Sequence, residues 1–119
     1  MILRYRKRKI RFNARKAGFL GKVFGLMLRT RKTKNILFVF SQKTKISIHS
    51  WFVFFSFLAV WMDENNNVIE YRVVRPFSTT IRPKKLFKKL LEIPFNRKNE
   101  RLLGFFVGKE RLNDSFHSS

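Results

Sequence analysis

The side chains best suited to chemistry in this sequence are guanidinium and ammonium groups, and they come in runs. Arg4, Arg6, Lys7, Arg8, Lys9 and Arg11 form the first, with Arg15 and Lys16 just behind. Arg29, Arg31, Lys32 and Lys34 form the second, Lys43 and Lys45 the third, and Arg82, Lys84, Lys85, Lys88 and Lys89 the last. Groups of this kind hold phosphate oxygens, Arg as a planar fork and Lys as a compact point charge. No acidic residue precedes Asp63, and 27 Lys and Arg stand against 7 Asp and Glu, a formal net charge of +20. Self-repulsion at that charge opposes compactness, so a polyanionic partner is implied, nucleic acid ahead of an anionic membrane surface.

Catalytic chemistry has few players. Cysteine is absent, which removes disulfides, thiolate metal sites and a catalytic thiol, and fits a reducing cytosol. The two histidines are His49, inside an apolar stretch, and His117, in the tail. A lone His on an apolar strand reads as a core residue, and no carboxylate lies within thirteen positions of His49. The scattered carboxylates form no paired-acid arrangement and no zinc ligand set, so neither an enzyme nor a metal or other cofactor is expected. Gly18, Gly21 and Gly25 lack a following Lys-Ser or Lys-Thr and match no dinucleotide fingerprint, so they read as turns.

The elements that must position the cations are mostly strands. Apolar content is 45% with fifteen Phe, far above that of a disordered polycation. Ile46–Met62 is seventeen residues without a formal charge, six of them aromatic. As a transmembrane helix it sits at the lower limit of length. Its Phe, Val, Ile and Trp content favours strands, and Asp63–Asn67 behind it is turn chemistry leading into the amphipathic Val68–Val74. The stretch is therefore expected as two strands, Ile46–Phe55 and Phe57–Met62, bent near Ser56, the second forming a hairpin with Val68–Val74. Ile36–Phe40 is expected as a buried strand and Ser41–Lys45 as a loop. Leu3–Phe12 suits a strand or a basic arm along Arg4–Arg11. Lys84–Leu91 has the period of an amphipathic helix behind Pro83, while Leu90–Ile93 equally suits a strand running into Pro94. Phe95–Glu100 reads as a polar turn, and Gly104–Val107 with Arg111-Leu112 as a last hairpin or bulged strand. All the basic runs would then lie on loops and edges outside the apolar strands.

The order of these segments resembles a known family. Gly25–Arg29 (GLMLR), Ile36–Phe40 (ILFVF), ISIHSWFVFFSFLAVWMDENNNVIE from Ile46, Arg75-Pro76-Phe77, and LFKKLLEIPF from Leu86 are similar to the family catalogued as domain of unknown function number 192. The resemblance covers about residues 10 to 112. It implies a compact, mainly β, barrel-like domain with one or two short helices, and no established reaction. Where the family has Pro-Ile-Asp before its second strand, this chain has Ser56-Phe57-Leu58, so the carboxylate that the family places at Leu58 is gone.

Together these readings predict a single domain, with residues 1–9 as a basic arm or first strand, 10–112 as the β core and 113–119 as a polar tail. The expected function is that of a structural rRNA-binding protein of an archaeal-type ribosome, cytoplasmic, with rRNA and neighbouring ribosomal proteins as partners. The Lys and Arg named above would touch phosphates. The sequence shows no RNA-recognition signature and no helix built for a major groove, so shape and backbone recognition is expected, with Tyr5 or Tyr71 available for base stacking. A stand-alone ligand-binding or enzymatic family member, with a pocket at His49, and a membrane-associated protein are the alternatives.

Overall fold

A computed structural model describes residues 1–17, 32–48, 53–78 and 80–108. Among these the protein is mainly β. Strands β1 (Ile2–Tyr5) and β2 (Arg8–Arg11) form a two-stranded sheet. Strands β3 (Arg15–Lys16), β4 (Ile36–Thr44), β5 (Phe57–Met62), β6 (Val68–Val74) and β7 (Phe87–Pro94) form a five-stranded sheet in the order β3-β4-β7-β5-β6. The β3–β4 pair is parallel and the others are antiparallel. A single 3-10 turn, Arg97–Asn99, leads into the only helix of the described residues, α1 (Glu100–Gly104). The described strands do not close into a barrel: β3 and β6 are the edges of an open sheet.

Strand β5 reads Phe-Leu-Ala-Val-Trp-Met, with no polar alternation, because every one of its residues is buried. On one face Phe57, Ala59 and Trp61 join Ile36, Phe38, Phe87 and Leu90 under Val53, Phe55 and Ile81. On the other, Leu58, Val60 and Met62 join Leu37, Leu91, Ile93 and Phe95. That second face is covered by Leu3 and Phe12 from the small sheet and by Leu102 and Leu103 of α1. Burial of a side chain the size of Trp61 or Phe57 stabilises by about 2–3 kcal/mol, so this sheet is the main source of stability.

The hairpin of β5 and β6 has the expected strands and turn, with Phe57 opposite Val74 and Trp61 opposite Glu70. The Asp63 carboxylate organises that turn. Its Oδ1 accepts from the backbone N–H of Asn65 and of Asn67, both at 2.9 Å, and its Oδ2 accepts from Asn67 Nδ2 at 3.0 Å. Partial burial pushes the carboxyl up, and those hydrogen bonds more than offset it, leaving the group below its ordinary value. Asn66 takes the left-handed position of the turn at φ 63°, a conformation Asn tolerates.

Five expectations change. Leu3–Phe12 is neither a free arm nor one strand but the hairpin β1–β2, with Leu3 and Phe12 in the core, so the boundary drawn between residues 9 and 10 cuts through β2. Lys84–Leu91 is not a helix: β7 starts at Phe87 and runs between β4 and β5, where strand pairing on both sides outweighs a weak helical period. Ser41–Lys45 is not a loop, since β4 continues to Thr44 past an irregularity between Val39 and Thr44. Gly104–Val107 is not a strand: it ends α1 and runs on into a turn, behind the 3-10 turn that the Asn96 side chain caps by accepting from Asn99 N–H at 3.0 Å. In Ile46–Phe55, the described part holds a single bridge, Ile48 to Ile81, and no continuous strand. Residues 49–52, with His49, lie outside the described residues, as do Gly18, Gly21 and Gly25 with the rest of residues 18–31, Arg111, Leu112, His117 and the tail.

The hairpin tip is built from two residues with positive φ, Arg6 at 48° and Lys7 at 65°. This is the geometry of a type I′ turn, which Asn-Gly adopts with far less strain than Arg-Lys. The double substitution Arg6→Asn, Lys7→Gly is expected to raise stability by about 1 kcal/mol in urea unfolding; a loss of stability would show that the side chains of Arg6 and Lys7 hold the tip.

Candidate nucleic-acid interface

Strand order decides which cations meet. β4 begins where β7 ends, with Ile36 opposite Glu92, and β3 lies beside β4 with Arg15 next to Ile36. The chain after β7 turns through Asn96 into the 3-10 turn and α1 at that same end. Asn13–Arg15, Lys32–Asn35 and Asn96–Asn99 therefore surround a cleft of about 610 Å³. A second cleft of about 380 Å³ adjoins it, sharing Asn13, Asn35, Lys98 and Asn99 and reaching Arg11 and Arg101. The described residues lining the two include six cations, Arg11, Arg15, Lys32, Lys34, Lys98 and Arg101, and no carboxylate.

The walls are fixed by backbone and amide hydrogen bonds. Arg15 N–H donates to Asn35 O at 2.7 Å, and Asn35 Nδ2 donates to Asn13 O at 2.9 Å. Asn99 Nδ2 donates to Pro94 O at 2.9 Å, tying the 3-10 turn to the end of β7. Asn35 is buried and its Oδ1 has no hydrogen-bond partner. Glu100, the acidic residue nearest in sequence, lies 3.7 Å from Arg97 in an exposed pair, which is worth little to stability. The arrangement is a cationic groove on a rigid frame, suited to a chain of phosphates.

Of the expected cations, Arg11, Arg15, Lys32 and Lys34 line this groove. Arg6, Lys7, Lys9 and Lys16 are exposed on or beside the small sheet and β3. Others are engaged in holding the fold. Arg4 Nη1 donates to Asn65 O at 3.1 Å, Lys88 Nζ to Ser41 O at 2.8 Å, and Lys89 Nζ to Asn66 Oδ1 at 2.7 Å. Arg8 Nη2 donates to Phe105 O at 3.1 Å with its guanidinium 4.4 Å from the centre of the Phe105 ring. Arg4, Lys88 and Lys89 are thus not on free loops but in strands, because the strands extend further than their apolar runs. Lys43 and Lys45 lie at the other end of the sheet, where Thr44 pairs with Phe87. Lys84 and Lys85 border β6, across the sheet from the groove, and the Lys84 N–H donates to Glu70 Oε1 at 2.9 Å. Arg82 is exposed; Arg29 and Arg31 lie outside the described residues. The expected stacking aromatics are also committed: Tyr5 and Tyr71 meet edge to face at 5.6 Å and both pack on Phe106.

Sequence reasoning missed Lys98 and Arg101. The available signal was Asn96 followed at the third position by Asn99, a capping pattern that starts a helical turn and swings both cations to the mouth of the groove.

Glu92 is the one strongly perturbed acid among the described residues. It projects from β7 on the face opposite Leu91 and Ile93, with Ile36 and Ala59 as cross-strand neighbours. Its Oε1 has no hydrogen-bond partner, and burial pushes the carboxyl up to about 8. It lines neither cleft. Among the described residues no three His, Cys, Asp or Glu side chains gather to hold a metal. No helix of the described residues is long and apolar enough to cross a membrane.

No protein-family model and no curated protein matches the chain. The structure is similar to the 1.22 Å crystal structure of a protein of unknown function from Novosphingobium aromaticivorans DSM 12444, with a TM-score of 0.66. The match covers 85% of this chain and 74% of that one at 15% identity. It shows the fold.

The Glu92 carboxyl gives the fold a pH signature. Below the ordinary value of 4.5 the group is protonated whether folded or unfolded, and its contribution is at its most favourable. Between there and about 8 the unfolded chain gives up a proton that the folded chain keeps, so stability falls by about 1.4 kcal/mol per pH unit. Urea unfolding of the wild type and Glu92→Gln across pH 5 to 9 is expected to show the gap between them growing through this window in favour of the amide. A gap that stays constant with pH would refute the assignment.

Proposed function

We propose that this protein binds RNA, and that its principal contact is the phosphate backbone laid along the groove between β3, the start of β4 and the 3-10 turn. The observation that carries the reading is the convergence of Arg11, Arg15, Lys32, Lys34, Lys98 and Arg101 on two adjoining clefts with no carboxylate among the described lining residues. A polyanionic partner relieves the self-repulsion of a +20 chain, and a cationic groove can hold such a partner by its backbone without reading sequence. The role is binding, with no reaction assigned. In its more specific form the partner is rRNA, and the protein is a structural component of an archaeal-type ribosome in the cytoplasm, built on the fold of the domain-of-unknown-function-192 family and seated among neighbouring ribosomal proteins. The exposed cations of the hairpin tip, Arg6 and Lys7, would then extend the contact beyond the groove.

The mechanism predicts a steep salt dependence. Six phosphate contacts give a slope of log K against log salt of about −5 on a duplex and about −4 on a single strand. Lys98→Gln with Arg101→Gln is expected to reduce that slope by roughly 1 to 2, while Lys45→Gln, at the other end of the sheet, changes it little. Fluorescence anisotropy with a structured RNA over a salt series checks this; affinity indifferent to salt would refute the phosphate mechanism. The ribosomal form is checked on a sucrose gradient, where the protein is expected to travel with a subunit after a high-salt wash. Protein found only at the top of the gradient leaves general RNA binding without the ribosome.

A further inference from the structure

Phe54 and Phe77 are each 55% exposed. Single exposed apolar side chains are ordinary on a protein surface. These two form a pair, edge to face with ring centres 5.3 Å apart, and both stay in solvent. Phe77 also sits at φ 58°, a left-handed conformation that a bulky side chain enters only under strain. The turn around it is closed by Ser78 Oγ donating to Arg75 O at 2.8 Å. Packing among the described residues gives no reason for a strained backbone that leaves a large ring in water.

Topology places this pair at the same end of the sheet as the groove. Phe54 comes just before β5, whose first residue, Phe57, lies opposite Pro94, the last residue of β7. Phe77 comes just after β6, whose last residue, Val74, lies opposite Phe57 on its other side. Asn35 and Asn96, which line the groove, flank the start of β4 and the end of β7 at that end. Neighbouring strands are about 4.8 Å apart, so the step from β7 to β6 is roughly 10 Å, within reach of a few nucleotides of extended strand.

The geometry points to a single-stranded RNA site that crosses this end of the sheet, with phosphates in the groove and a base stacked on the exposed Phe54–Phe77 pair. It rests on the proposed RNA-binding reading and narrows it from folded RNA in general to an unpaired segment. The groove supplies the charge complementarity, and an aromatic face accepts any base, as expected for a protein without a sequence-reading motif. A paired base in a helix has both faces covered and cannot use the platform.

The test uses the full chain, a uridine-rich single-stranded RNA, and an RNA duplex of the same length. Phe77→Gly suits the local φ and is expected to raise the melting temperature, so weaker binding cannot be ascribed to unfolding. It is expected to weaken single-strand affinity about tenfold, leave duplex affinity unchanged, and leave the salt slope unchanged because no charge is removed. Phe54→Ala is expected to do the same. Full single-strand affinity in both variants, with the salt dependence intact, overturns the stacking site and leaves phosphate binding standing. Absence of salt-dependent RNA binding in the wild type overturns both. A wild-type dimer in analytical ultracentrifugation that Phe77→Gly abolishes would assign the pair to self-association and also overturn the site.

Discussion

Burial of β5 on both faces is the constraint on which everything else depends. A strand with no solvent side needs a layer above and a layer below. One face is closed by the hairpin β1–β2 together with α1, the other by residues around Val53, Phe55 and Ile81. Because the covers are made of a hairpin, a short helix and connecting segments, their polar margins fall at the ends of the central strands. There the last residues of β7 and the first of β4 bring cations together. The groove is thus a by-product of how the core is sealed.

The same constraint explains why cations recur within strands. β7 lies between β4 and β5, yet it contains Lys88 and Lys89. Their ammonium groups reach Ser41 O within β4 and Asn66 Oδ1 in the β5–β6 turn, and long methylene stems make such a reach compatible with a part-buried backbone. Arg72 behaves likewise on β6, pairing with Glu70 at 2.6 Å while its guanidinium lies 5.8 Å from the Trp61 ring centre. A basic residue in this protein is therefore a structural tether about as readily as it is a free charge. Net charge alone overstates what is available to a partner.

What could be read in the sequence followed the strength of local signals. Ile36–Phe40 was legible because polar residues bound a short apolar run on both sides, and the β5–β6 hairpin because Asp63–Asn67 has side chains that make the turn by themselves. The hairpin β1–β2 was not, since Arg6-Lys7 carries none of the glycine or asparagine that marks a two-residue turn. The register comes from Leu3 and Ile10 meeting across the strands. β7 was ambiguous because Lys-Lys-Leu-Phe-Lys-Lys-Leu-Leu satisfies a helical period, and only pairing with two long-range neighbours decides for a strand. Most of the groove, Arg11, Arg15, Lys32 and Lys34, was visible as charge. Lys98 and Arg101 were not, because their position depends on where β7 ends.

Glu92 has an electrostatic consequence that reaches outside the core. At neutral pH a carboxyl held up to about 8 is mostly uncharged, so one of the 7 acidic residues contributes almost nothing to the surface potential, and the folded protein is nearly one charge more positive than its formal +20. The unfolded chain, with that proton released, is less cationic than the folded one. A polyanion would therefore be attracted slightly more strongly by the native form than by the unfolded chain.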